Sequence, residues 1–192
     1  MIGTTKQQTN KLGAKIVKLA MINLGASQTI DGKKRVTDST GALRKSLAYR
    51  VKQNRTASGQ FSDGFKLELT SSVDYASFVE QGVKGSESTK TSAKKSPFKF
   101  KSKNLPKGVM ASWINNKPIR LREQGTGKFS KNTDTAKKQL AFVLGKAVAT
   151  KGISAVKYYA DAVEQAVPKE GGEVAVAMAL DWINNSLKNQ LK

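Results

Sequence analysis

The chain has no cysteine and no histidine, and it has few acids: 14 Asp and Glu against 34 Lys and Arg in 192 residues. Without cysteine there is no disulfide, no thiolate nucleophile and no cysteine-ligated metal. Without histidine the commonest general base and the commonest transition-metal ligand are missing, and Ser-His-Asp and Cys-His arrangements cannot be built. The scarce carboxylates leave little for an all-acid mechanism. The expectation is a protein that is not an enzyme, with no catalytic residue, no metal and no cofactor. Long apolar runs are missing as well. The longest, Val174–Leu180, has seven residues, where a bilayer span takes about 20. The opening segment Met1–Gln8 is polar and lacks an apolar signal core. No membrane contact and no export precursor are expected.

What the chain does have is charge. The net value is +20 at pH 7, with 38 % apolar residues and a length that fits one domain by the usual size relation. A positive balance this large suits a polyanionic partner, either nucleic acid or acidic protein. It carries no sequence preference, because phosphate attraction is general and selectivity needs base contacts. The alternative is that surplus lysine keeps an assembly subunit soluble.

Apolar spacing predicts a helix over residues 5–26, with Leu12, Ile16, Leu19, Ala20 and Leu24 on one face and Lys11, Lys15 and Lys18 on the other. Asn23 interrupts the apolar face and Ile22 the lysine face. Asp31–Lys34 reads as a turn, and Asp38, Ser39 and Thr40 as caps for a short helical turn at 41–45. The period then becomes two. Leu47, Tyr49 and Val51, then Phe65, Leu67 and Leu69, predict an antiparallel hairpin with a long tip at Gln53–Gly64. A short helix follows, capped by Asp74 and closed by Gly82. Tyr75, Phe78 and Val79 share one face of it. Glu80, in its last turn, opposes the helix dipole and calls for a cation.

Residues 83–105 are small, polar and basic, and read as a disordered arm that orders on binding. Within it Pro97–Lys101 alternates like an edge strand. Pro106–Asn116 has the spacing of a short helix, and Ile119–Arg122 that of a strand. A helix to about Thr150 starts at Thr133 or Asp134, with Ala136, Leu140, Val143, Leu144 and Ala147 in a stripe and Phe142 off it. Lys157–Val167 is a further helix stopped by Pro168. After a break at Glu170–Gly172, a last helix over 173–190 carries Val176, Leu180, Ile183 and Leu187 on one side, with Trp182 beside them. Its start is apolar almost all round, which predicts burial against a second surface.

Two stretches stand out when read together: Thr40-Gly41-Ala42-Leu43-Arg44-Lys45-Ser46 before the hairpin, and Val73-Asp74-Tyr75-Ala76-Ser77-Phe78-Val79-Glu80-Gln81-Gly82 after it. This combination resembles the neck proteins of tailed bacteriophages, the tail-completion or head–tail connector proteins. The resemblance covers residues 5–82 and, more loosely, 137–167. In the latter part Val156–Ala162 stands where the family reads more like Pro-Phe-x-x-Pro-Ala.

The resemblance implies an α+β domain over 1–168, an antiparallel hairpin packed on several helices behind a long N-terminal helix. A basic loop insertion would occupy about 83–132, and an added C-terminal helix 169–192. It implies a virion protein assembled in the host bacterial cytoplasm. Copies would close into a ring, hexamer or dodecamer, joining portal or adaptor to tail proteins, with DNA passing through the channel. Asp74, Tyr75, Phe78, Glu80 and Gly82 would be fold and ring-packing positions. Phe142 and Trp182 are added as exposed-aromatic interface candidates. The hairpin tip and the 83–103 arm would reach neighbouring parts. A nucleic-acid-binding protein without sequence preference is the rival reading.

The polyanion or partner-contact candidates are Lys90, Lys94, Lys95, Lys99, Lys101 and Lys103. Contact with a negative partner and plain solvation both fit them. Phe98 and Phe100, interleaved with these lysines, read as the buried side of an edge strand, with base stacking as the alternative. Gly125-Thr126-Gly127-Lys128 fails as a phosphate loop, because Arg122 stands at the first glycine position and Phe129 at the hydroxyl position. Asp161 and Glu164 share a helix face and read as solvated.

Overall fold

A computed structural model describes residues 4–35, 41–55, 61–105, 108, 110–111, 114 and 133–190. The side chains of residues 35, 54–55, 61–64 and 182 onward lie outside that set. The described residues form a mixed α+β fold. Its helices are α1 (Thr5–Gly25), α2 (Ala42–Ser46), α3 (Ala76–Gln81), α4 (Asp134–Lys151) and α5 (Tyr158–Gln190). Strands β1 (Gln28–Ile30) and β2 (Lys33–Arg35) form one antiparallel sheet, and β3 (Leu47–Arg55) and β4 (Phe61–Ser71) another. The chain divides into two compact units, residues 1–80 with 156–192, and residues 81–155.

In the first unit α1 starts at a capping box. The Thr4 hydroxyl accepts from the Gln7 amide, and the Gln7 side chain accepts from the Thr4 amide. Ile16, Ala20 and Leu24 are buried as the spacing predicts, and Ile22 is exposed. The sequence reading missed β1 and β2. Asp31 and Gly32, both at positive φ, form the two-residue turn that joins them.

The β3–β4 pairing sets Leu47, Tyr49, Val51 and Gln53 opposite Ser71, Leu69, Leu67 and Phe65. A register shift between Gln53 and Arg55 lets pairing continue to Arg55 and Phe61. The loop expected at 53–64 is therefore shorter, and its tip at 56–60 lies outside the described residues. α1 lies on this hairpin. A Cβ on Gly13 would stand 2.5 Å from the Tyr49 ring and 2.8 Å from Leu67, so glycine here permits close helix–sheet approach.

α5 is one helix of 33 residues that continues through Pro168, Gly171 and Gly172. The expected stop at Pro168 and break at 170–172 are corrected. A proline inside a helix costs about 3 kcal/mol. Burial of the helix on both sides of the proline offsets that cost, through Ala162 and Ala166 before it and Ala177 after it. α5 packs along α1, and these alanines bring the two backbones close. The Thr5 amide donates to the Asp181 carboxylate at 2.8 Å, joining the start of α1 to the far part of α5. The buried stripe thus runs through Ala177. Val176 and Leu180, on the face singled out from sequence, are 46 % and 43 % exposed.

The second unit corrects the disordered-arm reading of 83–105. Its serines supply the bonds that order it. Ser96 Oγ donates to the Gly82 carbonyl at 2.8 Å and accepts from the Phe98 amide at 3.1 Å. Ser92 Oγ accepts from the Ala155 amide at 3.1 Å. The amides of Ser86, Glu87 and Ser88 donate to the last carbonyls of α4, at Ala149 and Thr150. The expected edge strand at Pro97–Lys101 is only an isolated parallel bridge between Lys84 and Lys99. α4 is capped by Thr133 and ends at Gly152 (φ 77°). Its buried face is Gly145 and Ala149, and Val143 is exposed, so the expected stripe is rotated. The readings on 38–40, 119–122 and 125–128, and most of that on 106–116, lie outside the described residues.

Two outcomes test this packing. Gly13→Ala is expected to lower stability by about 1–2 kcal/mol in urea unfolding, despite the better helix propensity of alanine, because the Tyr49 ring must move. Gly172→Ala, where an added Cβ meets nothing within 4 Å, is expected to raise stability by about 1 kcal/mol. A loss at Gly172 contradicts a continuous α5.

Candidate functional site

No catalytic constellation is found among the described residues. No group of three or more acids, histidines or cysteines there could hold a metal, and no helix is long and apolar enough to cross a membrane. The most developed polar geometry lies where α3 meets the start of α5, inside the first unit. The Val79 and Glu80 carbonyls accept from the Val156 and Lys157 amides at 2.9 and 3.0 Å. Lys157 turns the chain at φ 56°, a left-handed value unusual for a residue with a side chain. The Glu80 carboxylate then accepts from the Tyr159 amide and the Ala160 amide, each at 2.9 Å.

Glu80 is thus an N-cap for α5 supplied from a distant part of the chain. The counter-charge expected for it is corrected: two amides at a helix N-terminus take the place of a cation. Burial has the largest effect on this carboxyl and pushes it above the ordinary glutamate range. The Tyr159 and Ala160 amides pull it down, and Asp161 pushes it up again.

Two tyrosines complete the joint, their rings 4.9 Å apart and tilted by 41°. Tyr158 is buried. Its hydroxyl donates to the Ala76 carbonyl at 3.2 Å, and its own carbonyl accepts from Asn23 Nδ2 at 3.3 Å. Asn23, the polar interruption on the apolar face of α1, therefore has its partner. The Tyr159 hydroxyl lies 2.8 Å from the Thr70 carbonyl and 3.2 Å from that of Ala48, bridging the two hairpin strands. Burial raises both phenols, that of Tyr159 to about 12. Ser46, the last residue of the first motif, shares a 2.6 Å hydrogen bond between hydroxyls with Ser71, whose Oγ accepts from the Val73 amide where the second motif begins. The two motifs are thereby linked.

The remaining site residues divide by exposure. Tyr75 and Phe78 are 44 % and 42 % exposed. Asp74 is exposed in the turn before α3; the residue adjoining the helix is Tyr75, so Asp74 is not the expected N-cap. Gly82, in the second unit, has φ 70°, and a Cβ on it would stand 2.6 Å from the Ile153 carbonyl. Phe142 is 68 % exposed and borders a groove of about 330 Å³ with Met110, Ala141 and Gly145. The side chain of Trp182 lies outside the described residues. Lys94, Lys95, Lys99, Lys101 and Lys103 are exposed and Lys90 is half-buried. Lys103 pairs with Glu87 at 2.6 Å. Phe98 and Phe100 are half-buried. Sequence reading missed Tyr158, Tyr159 and Asp181 as joint residues. The only signals were the adjacent tyrosines within Val156–Ala162 and the polar break at Asn23.

Comparison with protein-family models, with curated proteins and with solved structures returns no match for this chain.

The Glu80 cap predicts a mutational and pH signature. Glu80→Ala, which leaves two amides without acceptors, is expected to cost about 1–2 kcal/mol in urea unfolding. Glu80→Gln keeps one acceptor and is expected to cost less. The unfolded chain releases this proton near pH 4.5, and the folded chain holds it to higher pH. The stability present below 4.5 is therefore lost as pH rises through the folded value. The gap between wild type and Glu80→Gln should narrow over that interval, and a gap that widens with pH contradicts the assignment.

Proposed function

We propose that this chain is a non-enzymatic structural subunit of a tailed-phage head–tail connector. Copies close into a ring, hexameric or dodecameric, between portal and tail. The reading rests on the two motifs and on how their residues are used. Ser46, Val73 and Glu80 are occupied in internal joints. Phe78 of α3 and Tyr75 just before it stay more than two-fifths exposed on a segment that is itself tied down. That observation carries the proposal. Large apolar side chains held outward by a fixed element suit a heterologous contact repeated around a ring. The exposed Val176 and Leu180 of α5, one turn apart, offer a second patch of the same kind.

Native mass spectrometry and electron microscopy of the purified chain, alone and with portal or tail assemblies, test this reading. The expected result is a closed ring. Tyr75→Ala with Phe78→Ala should shift the population to monomer while far-ultraviolet circular dichroism shows the chain still folded. A chain that stays monomeric on a portal template and is absent from purified virions overturns the proposal.

A further inference from the structure

The two compact units differ sharply in charge. Residues 81–155 carry seventeen Lys or Arg and three Asp or Glu, a net of +14. The rest of the chain carries seventeen and eleven, a net of +6. Of the three acids in the second unit, Glu87 is taken by Lys103, Asp134 sits in the first turn of α4, and Glu123 lies outside the described residues. Lys84, Lys94, Lys95, Lys99 and Lys101 form no ion pair with a described residue.

Their placement adds a second observation. Lys84 and Lys99 are direct partners in the parallel bridge, fixed by the Lys84 amide on the Phe98 carbonyl (2.9 Å) and the Phe100 amide on the Lys84 carbonyl (3.0 Å). Like charges at paired β positions repel and destabilise the pairing. The serine bonds hold the backbone in this arrangement all the same. An anion bound over the pair would meet two cations at once, and a backbone already ordered loses less freedom on binding than a flexible arm does.

We propose that the second unit binds the phosphate backbone of duplex DNA, without sequence preference, through Lys84, Lys94, Lys95, Lys99 and Lys101. These cations are lysines, point charges that suit phosphate, not the planar forks that read base edges. Single-strand binding needs aromatic faces for base stacking, and Phe98 and Phe100 are half-buried in the unit. The inference is independent of the connector reading, since ring assembly and DNA binding can each be lost while the other stands.

The test is fluorescence anisotropy of the full chain with a labelled duplex in two unrelated sequences, over a salt series. Equal affinity for both sequences is expected, with log K falling linearly against log salt. Lys94→Gln, Lys95→Gln, Lys99→Gln and Lys101→Gln combined should make that slope shallower by about 3–4, near 0.9 for each phosphate no longer neutralised, and weaken binding at low salt at least about tenfold. The control removes four exposed charges from the first unit (Lys6→Gln, Lys11→Gln, Lys18→Gln and Lys33→Gln) and should change the slope by less than about 1. If the combined variant melts early, Lys101→Gln alone should still lower the slope by about 0.9. Four results overturn the proposal: no duplex binding, an equal loss in the control, tighter binding to single-stranded DNA of the same length, or tighter binding to poly-glutamate, which would point to an acidic protein.

Discussion

A single carboxylate fixes the start of the longest helix. A helix N-terminus has amides with no intrahelical acceptor, and α5 obtains two of its acceptors from Glu80, almost eighty residues earlier in the chain. With that end pinned, Tyr158 is set against α3 and α1, and Tyr159 against the hairpin. Ala162 and Ala166 then fall along α1. Each of these placements needs the helix to start at that point and in that direction. The left-handed turn at Lys157 is the local strain this arrangement carries.

The two units are held by different means. The first has an apolar core of Ile16, Ala20, Leu24, Leu43 and Leu47 closed by Tyr158, so burial supplies most of its stabilisation. In the second, Val83, Ala93, Ile114, Ala149 and Ala155 are buried among the described residues, and serine hydroxyls and loop amides satisfy backbone groups that would otherwise be orphaned. The second unit carries most of the excess charge, +14 of +20, which suits it to working through its surface. The first unit, with its fixed helix and outward aromatic residues, is suited to working through shape.

Periodicity made the main elements of the first unit legible. α1 and the antiparallel hairpin with its alternating apolar positions follow from local chemistry, as does the left-handed Gly82 at the start of the second unit. Long-range effects were not legible. Pro168 and two glycines read as a break because local propensity cannot register burial on α1. Glu80 read as a charge in want of a cation because its acceptor role depends on residues 159 and 160. Ser92 and Ser96 read as disorder because small polar residues are enriched in loops of either kind, and only their partners tell which. At the site, sequence missed Tyr158 and Tyr159, whose importance comes from what surrounds them.

The bond from the Thr5 amide to Asp181 gives α5 an influence at its other end. Pro168 has no amide hydrogen, so the segment after it is joined to the segment before it by one fewer backbone bond. If the distal turns peel away from there, the Tyr158–Tyr159 joint stays in place, but the first amide of α1 is left without its acceptor. Melting at the end of the chain would then propagate to fraying at its beginning, so the two termini would open as one cooperative unit while the hairpin stays closed.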